Sequence, residues 1–334
     1  MLTPVLVTLS LLVSCSGGDG EPAEGPSRTG EPTSGSGATG PTAPPVEEVP
    51  LADLEEDRIR VDAPDRVLVG FGSIWVHTDD QRMVRIDPMT HALVARVDLP
   101  GGQCPGSGLG EGMVWACRSN ELVGIDPTTN RVSLQTGVAM GPEQRAIGAG
   151  EEAVWVLDPA DDGRTLLAVN PKDGDIVDRI PLGHACHDTY TGLGSVWVVC
   201  PDDGVVVRVD GDRRRVTGEV RHLPGTTIGV GNDAVWAGTS DPDRGLVRID
   251  PRSLEVVVVP DTGGPGPAGA IWVDGRDVWV RSTDPFLTRI DARTRLVEAE
   301  VVATEPLGGG AVSTGFGSVW ASSSGASQVL RLTP

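Results

Sequence analysis

A single tryptophan recurs through most of this chain at a nearly fixed distance. The recurring residues are Trp75, Trp115, Trp155, Trp197, Trp236, Trp279 and Trp320, and successive members are 39 to 43 residues apart. A period of this length is typical of propellers, solenoids and other repeat arrays, in which each unit buries its apolar face against the next. The chain after residue 50 is therefore interpreted as seven copies of one unit.

Each unit is predicted to contain four short strands, which we call a to d in chain order. In the third repeat they cover 145–149, 153–157, 166–170 and 176–181. Valine, isoleucine and leucine alternate there with polar residues, and Gly, Pro and Asp separate the runs. This is the pattern of short strands joined by turns, and no stretch after residue 50 has a sustained helical period. The predicted fold class is all-β.

Two turn motifs recur within the units. Gly-x-Gly lies between strands a and b, as in 70–72, and Asp-Pro-x-Thr lies between c and d, as in 87–90. Asp followed by Pro suits a type I turn. The glycines lead into a strand and not into a helix, so they do not indicate a phosphate site. We expect them to make room for the recurring tryptophan, which fills the space between neighbouring sheets.

Trp272 does not belong to the recurring set. It occupies the position that Gly229 holds in the preceding repeat. Two interpretations are open, an additional core residue or a bulky group beside a central channel.

The two ends of the repeat region complement each other. The last unit stops after its strand c, at 329–334, whereas 57–62 precedes the first unit and resembles a strand d: Arg58-Ile59-Arg60-Val61-Asp62 parallels Val94-Ala95-Arg96-Val97-Asp98. An N-terminal strand that completes the last sheet would leave no long exposed edge. We therefore predict a seven-bladed β-propeller closed by an N-terminal strand that completes the last blade.

The N-terminus indicates export and lipidation. A short apolar run, 5–13, ends in Leu12-Val13-Ser14-Cys15, which matches a bacterial lipobox. The run is shorter than a membrane-spanning helix requires, so residues 1–14 are predicted to be a cleaved signal and Cys15 the lipidated residue. An ordinary secretory signal or a chance cysteine is the alternative. No Lys or Arg precedes the run, which leaves the position of the start codon open.

The next segment, 15–50, is rich in Gly, Ser, Thr, Pro and Glu and lacks hydrophobic periodicity. Such a composition predicts a flexible, disordered linker. The predicted organisation is thus signal peptide 1–14, linker 15–50 and propeller 51–334. The protein would be a lipid-anchored, extracytoplasmic membrane protein that contacts the bilayer through its lipid alone.

The formal net charge of -20 excludes the electrostatics that nucleic-acid binding requires. The partners expected at this location are a cell-envelope protein, a peptide or a glycan, and the chain is expected to be a monomer.

Four cysteines remain after Cys15, and each pair straddles one a–b hairpin. Cys104 and Cys186 precede a strand a, and Cys117 and Cys200 end the following strand b. We predict the disulfides Cys104–Cys117 and Cys186–Cys200, which agree with an oxidising compartment. A zinc site is the alternative, although the spacing of these cysteines from neighbouring histidines matches no familiar zinc motif.

The repeat motif resembles a known group of propellers. Units 70–88 and 192–210 read Gly-x-Gly-Ser-φ-Trp-Val followed by φ-x-Arg-φ-Asp, where φ is apolar. They resemble the bacterial repeat propellers related to streptogramin lyase and to the YVTN-type propellers, over about residues 57–334. Members of this superfamily include lyases, hydrolases, sensor domains and binding scaffolds, so the resemblance implies the fold more than an activity.

The resemblance to streptogramin lyases implies His and Glu residues with Mg²⁺ on inner strands, which open a cyclic depsipeptide by elimination. This chain departs from that pattern. The family's Trp-Phe-Thr-Glu string is replaced by 197–200 and 236–239, and His222 is not part of a Glu-x-His pair. None of the family's catalytic residues is therefore carried over.

The loops between strands d and a are expected to converge with the b–c loops over the channel, where propellers usually bind ligands. The candidate ligand-binding residues in them are Gln103, Gln144, Arg145, His184, His187, Asp188 and Thr227. His187 and Asp188 would be polar contacts or an acid–base pair. The alternative is a solvated loop at 184–190 held by a disulfide.

The preferred function is a non-catalytic binding module without cofactor or metal. A lyase or hydrolase of the streptogramin-lyase type, with a divalent cation, is the alternative. A quinone-cofactor dehydrogenase ranks third, since its signature repeats are not found. An enzyme would need at least two ionisable groups within hydrogen-bond reach near the channel mouth.

Overall fold

The computed structural model of the chain describes residues 46–102, 104–262 and 270–334. These residues form seven β-sheets of four or five strands, with one short α-helix and one turn of 3-10 helix at Pro159–Asp161. The compact unit that contains the sheets spans Pro45–Pro334. The predicted signal peptide, Cys15 and most of the predicted linker lie outside the described residues.

The strands follow the four-strand unit predicted from the repeat. An N-terminal segment contains β1 (Glu47–Pro50), α1 (Leu51–Leu54) and β2 (Glu55–Arg60). Blade 1 contains β3 (Pro64–Gly70), β4 (Ser73–Thr78), β5 (Arg82–Ile86) and β6 (Leu93–Asp98). Blade 2 contains β7 (Ser107–Gly110), β8 (Met113–Arg118), β9 (Glu121–Asp126) and β10 (Arg131–Ala139). Blade 3 contains β11 (Gly148–Gly150), β12 (Ala153–Leu157), β13 (Thr165–Val169) and β14 (Ile176–Pro181).

The remaining blades repeat this order. Blade 4 contains β15 (Asp188–Gly192), β16 (Ser195–Cys200), β17 (Val205–Asp210) and β18 (Arg215–Arg221). Blade 5 contains β19 (Thr227–Gly231), β20 (Ala234–Gly238), β21 (Leu246–Ile249) and β22 (Val256–Val258). Blade 6 contains β23 (Ile271–Asp274), β24 (Asp277–Arg281), β25 (Leu287–Asp291) and β26 (Val297–Val302). Blade 7 contains β27 (Val312–Gly315), β28 (Ser318–Ser323) and β29 (Gln328–Leu332).

The ring is closed by the N-terminal strand. β2 pairs antiparallel with β29, and Ile59 lies opposite Val329 in the register. The sheet order β2-β29-β28-β27 gives blade 7 its fourth strand. The inner strand of blade 7, β27, also packs against the inner strand of blade 1, β3. The predicted seven-bladed propeller and its mode of closure are confirmed.

The N-terminal segment also covers a second blade, which the sequence analysis did not predict. β1 pairs parallel with β26, the outer strand of blade 6, so that this sheet has five strands. The buried side chain of Leu51 in α1 then packs between blades 6 and 7. Residues 47–50 were assigned to the linker and in fact belong to the propeller, because backbone pairing holds them without a hydrophobic pattern of their own.

The core consists of seven apolar clusters, one at each interface between neighbouring blades. Each cluster contains one of the seven recurring tryptophans. The cluster between blades 7 and 1 contains Trp320 together with Ile59 of the closing strand and Ile74 of blade 1. Six of the seven rings are completely buried, and Trp279 is 3% exposed. The tryptophan period is therefore the period of the interfaces, as expected from the sequence.

The recurring glycines serve a purpose different from the expected one. The tryptophan indole nitrogen donates a hydrogen bond to the carbonyl oxygen of the glycine five residues earlier in blades 1, 2, 3, 4 and 7, at 2.9 to 3.2 Å. A side chain at Gly108 would overlap the backbone of Ile147 in the next blade, and one at Gly110 would overlap that of Ala149. These glycines make room for the neighbouring inner strand, not for the tryptophan ring.

The spacing of the motif residues is repeated from unit to unit, and the structure explains why. In blade 1 the guanidinium of Arg85 lies 5.1 Å from the centre of the Trp75 ring, and its Nε donates to Ser73 Oγ at 2.7 Å. Blades 4 and 7 repeat this contact with Arg208 and Arg331. The turn aspartates are also structural: Asp87 Oδ1 accepts bonds from the amides of the two residues that follow Pro88.

Both predicted disulfides are present, Cys104–Cys117 in blade 2 and Cys186–Cys200 in blade 4. Their sulfurs are thus not free to bind zinc. None of the described helices has the length and apolar character needed to cross a bilayer.

Candidate functional site

A cavity of about 880 Å³ lies along the central channel. The inner strands of the blades supply its wall, and it extends to the face formed by the d–a and b–c loops, where Asp79, Gly225 and Ser324 line it. The channel stays open because most residues opposite the recurring tryptophans are small, for example Gly148 and Gly229. The predicted position of a binding site therefore coincides with a real cavity.

Five polar residues from four blades meet in this cavity, and we call them the channel cluster. They are Arg66 of blade 1, Arg145 before blade 3, Asp188 and Tyr190 of blade 4, and Thr227 of blade 5. Arg66 and Thr227 lie close enough to the Tyr190 hydroxyl to lower its pKa. Since blades 1 and 4 lie on different sides of the ring, the approach of Arg66 to Tyr190 spans the channel.

The acidic member of the channel cluster is tied to the backbone of the preceding blade. Asp188 Oδ1 accepts hydrogen bonds from the amides of Arg145, at 2.8 Å, and Ala146, at 2.6 Å. The guanidinium of Arg145 reaches in the other direction, and its Nη1 lies 3.4 Å from Asp65 Oδ2 in blade 1. These contacts fix Asp188 and Arg145 and give each of them a partner within the protein.

Burial favours the neutral forms of the ionisable groups around the cavity. It raises the pKa of Asp188, and the Ala146 amide and the charge of Arg66 only partly offset this effect. Burial also raises the pKa of Tyr190 to about 12, with a further contribution from Asp188. It lowers the pKa of His77, which lies opposite Arg66 in the sheet, to about 4. A charge on any of these three side chains therefore needs a partner within the protein.

The seven candidate residues from the sequence fall into four groups, of which the two histidines are the last. Arg145, Asp188 and Thr227 line the cavity. Gln144 is buried behind it, where its amide bonds Ala146 O and Thr189 Oγ1, and its carbonyl accepts from Leu157 N. Gln103 lies outside the described residues.

The two histidine candidates do not line the cavity. His184 Nδ1 lies 3.0 Å from Asp203 Oδ2 and its Nε2 3.5 Å from Glu219 Oε2, all within blade 4. His187 Nε2 lies 3.6 Å from Asp202 Oδ2 of the same blade. Neither histidine is brought next to a histidine or glutamate of another blade. The described contacts therefore hold the loop against its own sheet.

Arg66 and Trp272 contribute to the cavity but were not among the candidate residues. A sequence signal for Arg66 exists: Arg66, Asp188 and Thr227 each stand four residues before the glycine that ends their inner strand. The loop before blade 1 is also a d–a loop, because it joins the closing strand β2 of blade 7 to the inner strand β3 of blade 1. Trp272 is half-buried, packs against the core between blades 6 and 7, and also lines the cavity. Trp272 is thus both an additional core residue and a bulky group beside the channel, so each interpretation is partly correct.

The residues present do not fit the Mg²⁺ that the lyase resemblance implies. Within the described ranges, no three His, Cys, Asp or Glu side chains are grouped so that they could hold a metal ion. Two of the three carboxylates that line the cavity are engaged otherwise, since Asp188 accepts two backbone amides and Asp65 faces Arg145. No reaction step through a metal is derived for this site.

Comparison with known proteins supports the fold alone. No protein-family model and no curated protein matches the sequence. The solved structure of virginiamycin B lyase from Staphylococcus aureus is similar, with a TM-score of 0.67 and 16% identity, over 83% of this chain and 98% of that one. BamB from Moraxella catarrhalis has a TM-score of 0.59 and 12% identity, over 84% and 97%.

A third similar structure is the WD40 domain of Pan2 from Neurospora crassa, with a TM-score of 0.65 and 9% identity, over 82% of this chain and 90% of that one. At such identities the likeness shows that the chain is a propeller, and the function has to be argued from the channel itself.

Tyr190 offers a direct test of the channel environment because it is the single tyrosine of the chain. We expect its phenol to ionise at about pH 12 in the folded protein and at about pH 10 after unfolding in guanidinium chloride. The raised pKa contributes stability that is fully present below pH 10 and is lost between pH 10 and 12. The ultraviolet absorbance of the phenolate, followed together with circular dichroism, measures both values. Ionisation near pH 10 with the fold intact would contradict the raised pKa of Tyr190.

Proposed function

We propose that this protein is an extracytoplasmic, lipid-anchored binding module that holds a ligand in the central channel of its propeller. The observation that carries the proposal is the open cavity of about 880 Å³ into which polar groups from four blades converge. A concave, largely apolar site with a few convergent polar groups is the usual form of a ligand pocket. A peptide or a glycan of the cell envelope is the ligand class that suits this location.

A binding role is favoured over catalysis by the state of the channel cluster. Ionisable groups do converge there, as an enzyme would require, but the described contacts engage them within the protein. Tyr190, with a pKa of about 12, is protonated at neutral pH and can donate a hydrogen bond to a ligand. The Asp188 oxygen that accepts two backbone amides is engaged in holding blades 3 and 4 together. The arrangement is suited to recognising polar groups of a ligand.

The proposed location is supported by three features. The segment Leu12-Val13-Ser14-Cys15 matches a lipobox, the next residues have linker composition, and the propeller contains two disulfides. Disulfides persist in oxidising compartments outside the cytoplasm. The described part of the chain begins with the segment β1-α1-β2, which pairs with blades 6 and 7.

The channel is tested by filling it. We expect Thr227→Trp, made in the full chain with Cys15→Ser to remove the lipid acceptor, to capture about tenfold less ligand from a cell-envelope extract. The added indole ring would occupy the cavity beside Tyr190. Mass spectrometry of the compounds released after washing measures the capture. Thr304→Trp is the matched control, because Thr304 is exposed in a d–a loop and does not line the cavity. Equal capture by the two variants would exclude the channel as the ligand site.

The lipid anchor is tested by changing the acceptor alone. We expect Cys15→Ser to move the protein from the membrane fraction to the soluble extracytoplasmic fraction, since two acyl chains are what holds such a protein at a bilayer. Cell fractionation followed by immunodetection measures the distribution. The matched control is Ser14→Ala, which changes a neighbouring small residue and keeps the thiol. A Cys15→Ser protein that stays with the membrane would contradict the anchor.

A further inference from the structure

Arg66 is the basic member of the channel cluster that forms no ion pair in the described structure. It is half-buried and lines the cavity, where it lies near the neutral Tyr190 hydroxyl. Among the described residues, no carboxylate forms an ion pair with it, whereas Arg145 has Asp65 at 3.4 Å. The Nε atom of Arg66 is buried and has no hydrogen-bond partner in the described structure.

Among the described residues, none that neighbours Arg66 forms an ion pair with it. His77, its cross-strand neighbour, is 4% exposed, has an unpaired Nδ1 and is neutral, as its pKa of about 4 implies. Tyr190 is neutral, and Asp188, whose pKa the charge of Arg66 lowers, is hydrogen-bonded to two amides of blade 3. The guanidinium of Arg66 therefore faces the cavity without a carboxylate in direct ion-pair contact.

The cavity also limits what kind of anion would fit. The wall beside the channel cluster includes the apolar residues Val67, Ile228 and Ile271 and the half-buried ring of Trp272. Asp65, Asp79 and Asp188 line the same cavity as Arg66 and Arg145, and their repulsion grows with each negative charge of a ligand, so an anion with one charge is favoured over an anion with several. A planar carboxylate matches the forked donors of a guanidinium, and hydroxyl groups such as those of Tyr190 and Thr227 add further donors.

From these contacts we infer that the channel binds the carboxylate of a small acid with a mostly apolar body, with Arg66 as the charge partner and Tyr190 and Thr227 as additional hydrogen-bond donors. This inference rests on the proposed function, because it assumes that the channel is the ligand site. It narrows the ligand to a monoanion, such as the free carboxylate of an apolar amino-acid derivative or peptide end.

The inference is tested with a pair of isosteric probes, 3-phenylpropanoate and the uncharged 3-phenylpropanamide. Saturation-transfer NMR on the full Cys15→Ser chain measures the affinity for each. We expect the acid to bind at least about tenfold more tightly than the amide, because a charge-assisted pair replaces a neutral contact. Arg66→Gln is expected to abolish this preference. Arg96→Gln, which removes an exposed arginine from the outer strand of the same blade, is the matched control and is expected to keep it.

Two further variants keep the test decisive if Arg66→Gln does not fold. Arg66→Lys keeps the charge but loses the forked donors, and Tyr190→Phe removes one hydroxyl. Each is expected to weaken binding of the acid several-fold while leaving binding of the amide nearly unchanged. Circular dichroism of each variant confirms that it is folded. Unchanged preference for the acid in both folded variants would overturn the assignment of these residues.

The remaining outcomes separate this inference from the proposed function. Equal affinities for the acid and the amide, both lost in Thr227→Trp, would retain the channel as a ligand site and overturn the carboxylate assignment. Tighter binding of inorganic phosphate than of the acid would also overturn it. Binding of the acid that persists in Thr227→Trp would contradict both proposals, since the probe would then bind elsewhere.

Discussion

The burial of one tryptophan at every interface between neighbouring sheets is the contact on which the rest of this structure depends. Each ring is covered by apolar residues of the next blade, and the seventh interface needs Ile59 of the N-terminal strand to be complete. A blade alone would leave its tryptophan and one face exposed, so the units are stable only as a closed ring. Closure in turn defines the channel, because it brings seven inner strands around one axis.

Close packing of the inner strands determines which residues can form a site. Where glycine stands opposite the tryptophan, as at Gly108, the next inner strand lies directly against its backbone. Tyr190 and Trp272 occupy the same position in their blades and add large side chains with polar atoms to the cavity wall. The polar end of the channel is thus a departure from the repeat. Residues that follow the repeat pack the blades against each other. Residues that depart from it are therefore the ones expected to serve function.

The fold could be predicted from the sequence to a large extent because its determinants are periodic. The tryptophan interval indicated seven interfaces, and the likeness of 57–62 to 94–98 indicated the closing strand. β1 could not be predicted, since it is held by backbone pairing with β26 and carries no hydrophobic pattern. For the site, the sequence places Arg145, Asp188 and Thr227 in or beside the d–a loops, but it places His184 and His187 there as well. The two groups differ in whether the side chain lines the channel or contacts the outer part of its own blade, and this depends on the three-dimensional structure.

Ring closure by the N-terminal strand is the central claim, and hydrogen–deuterium exchange tests it most directly. If β2 is the fourth strand of blade 7, the amides of Glu55–Arg60 and of Gln328–Leu332 exchange as slowly as those of the buried strand Ser73–Thr78, since all three open only when the ring unfolds. Rapid exchange at Glu55–Arg60 in a chain whose other blades stay protected would show that the last sheet is not sealed by the first strand, and would contradict the account.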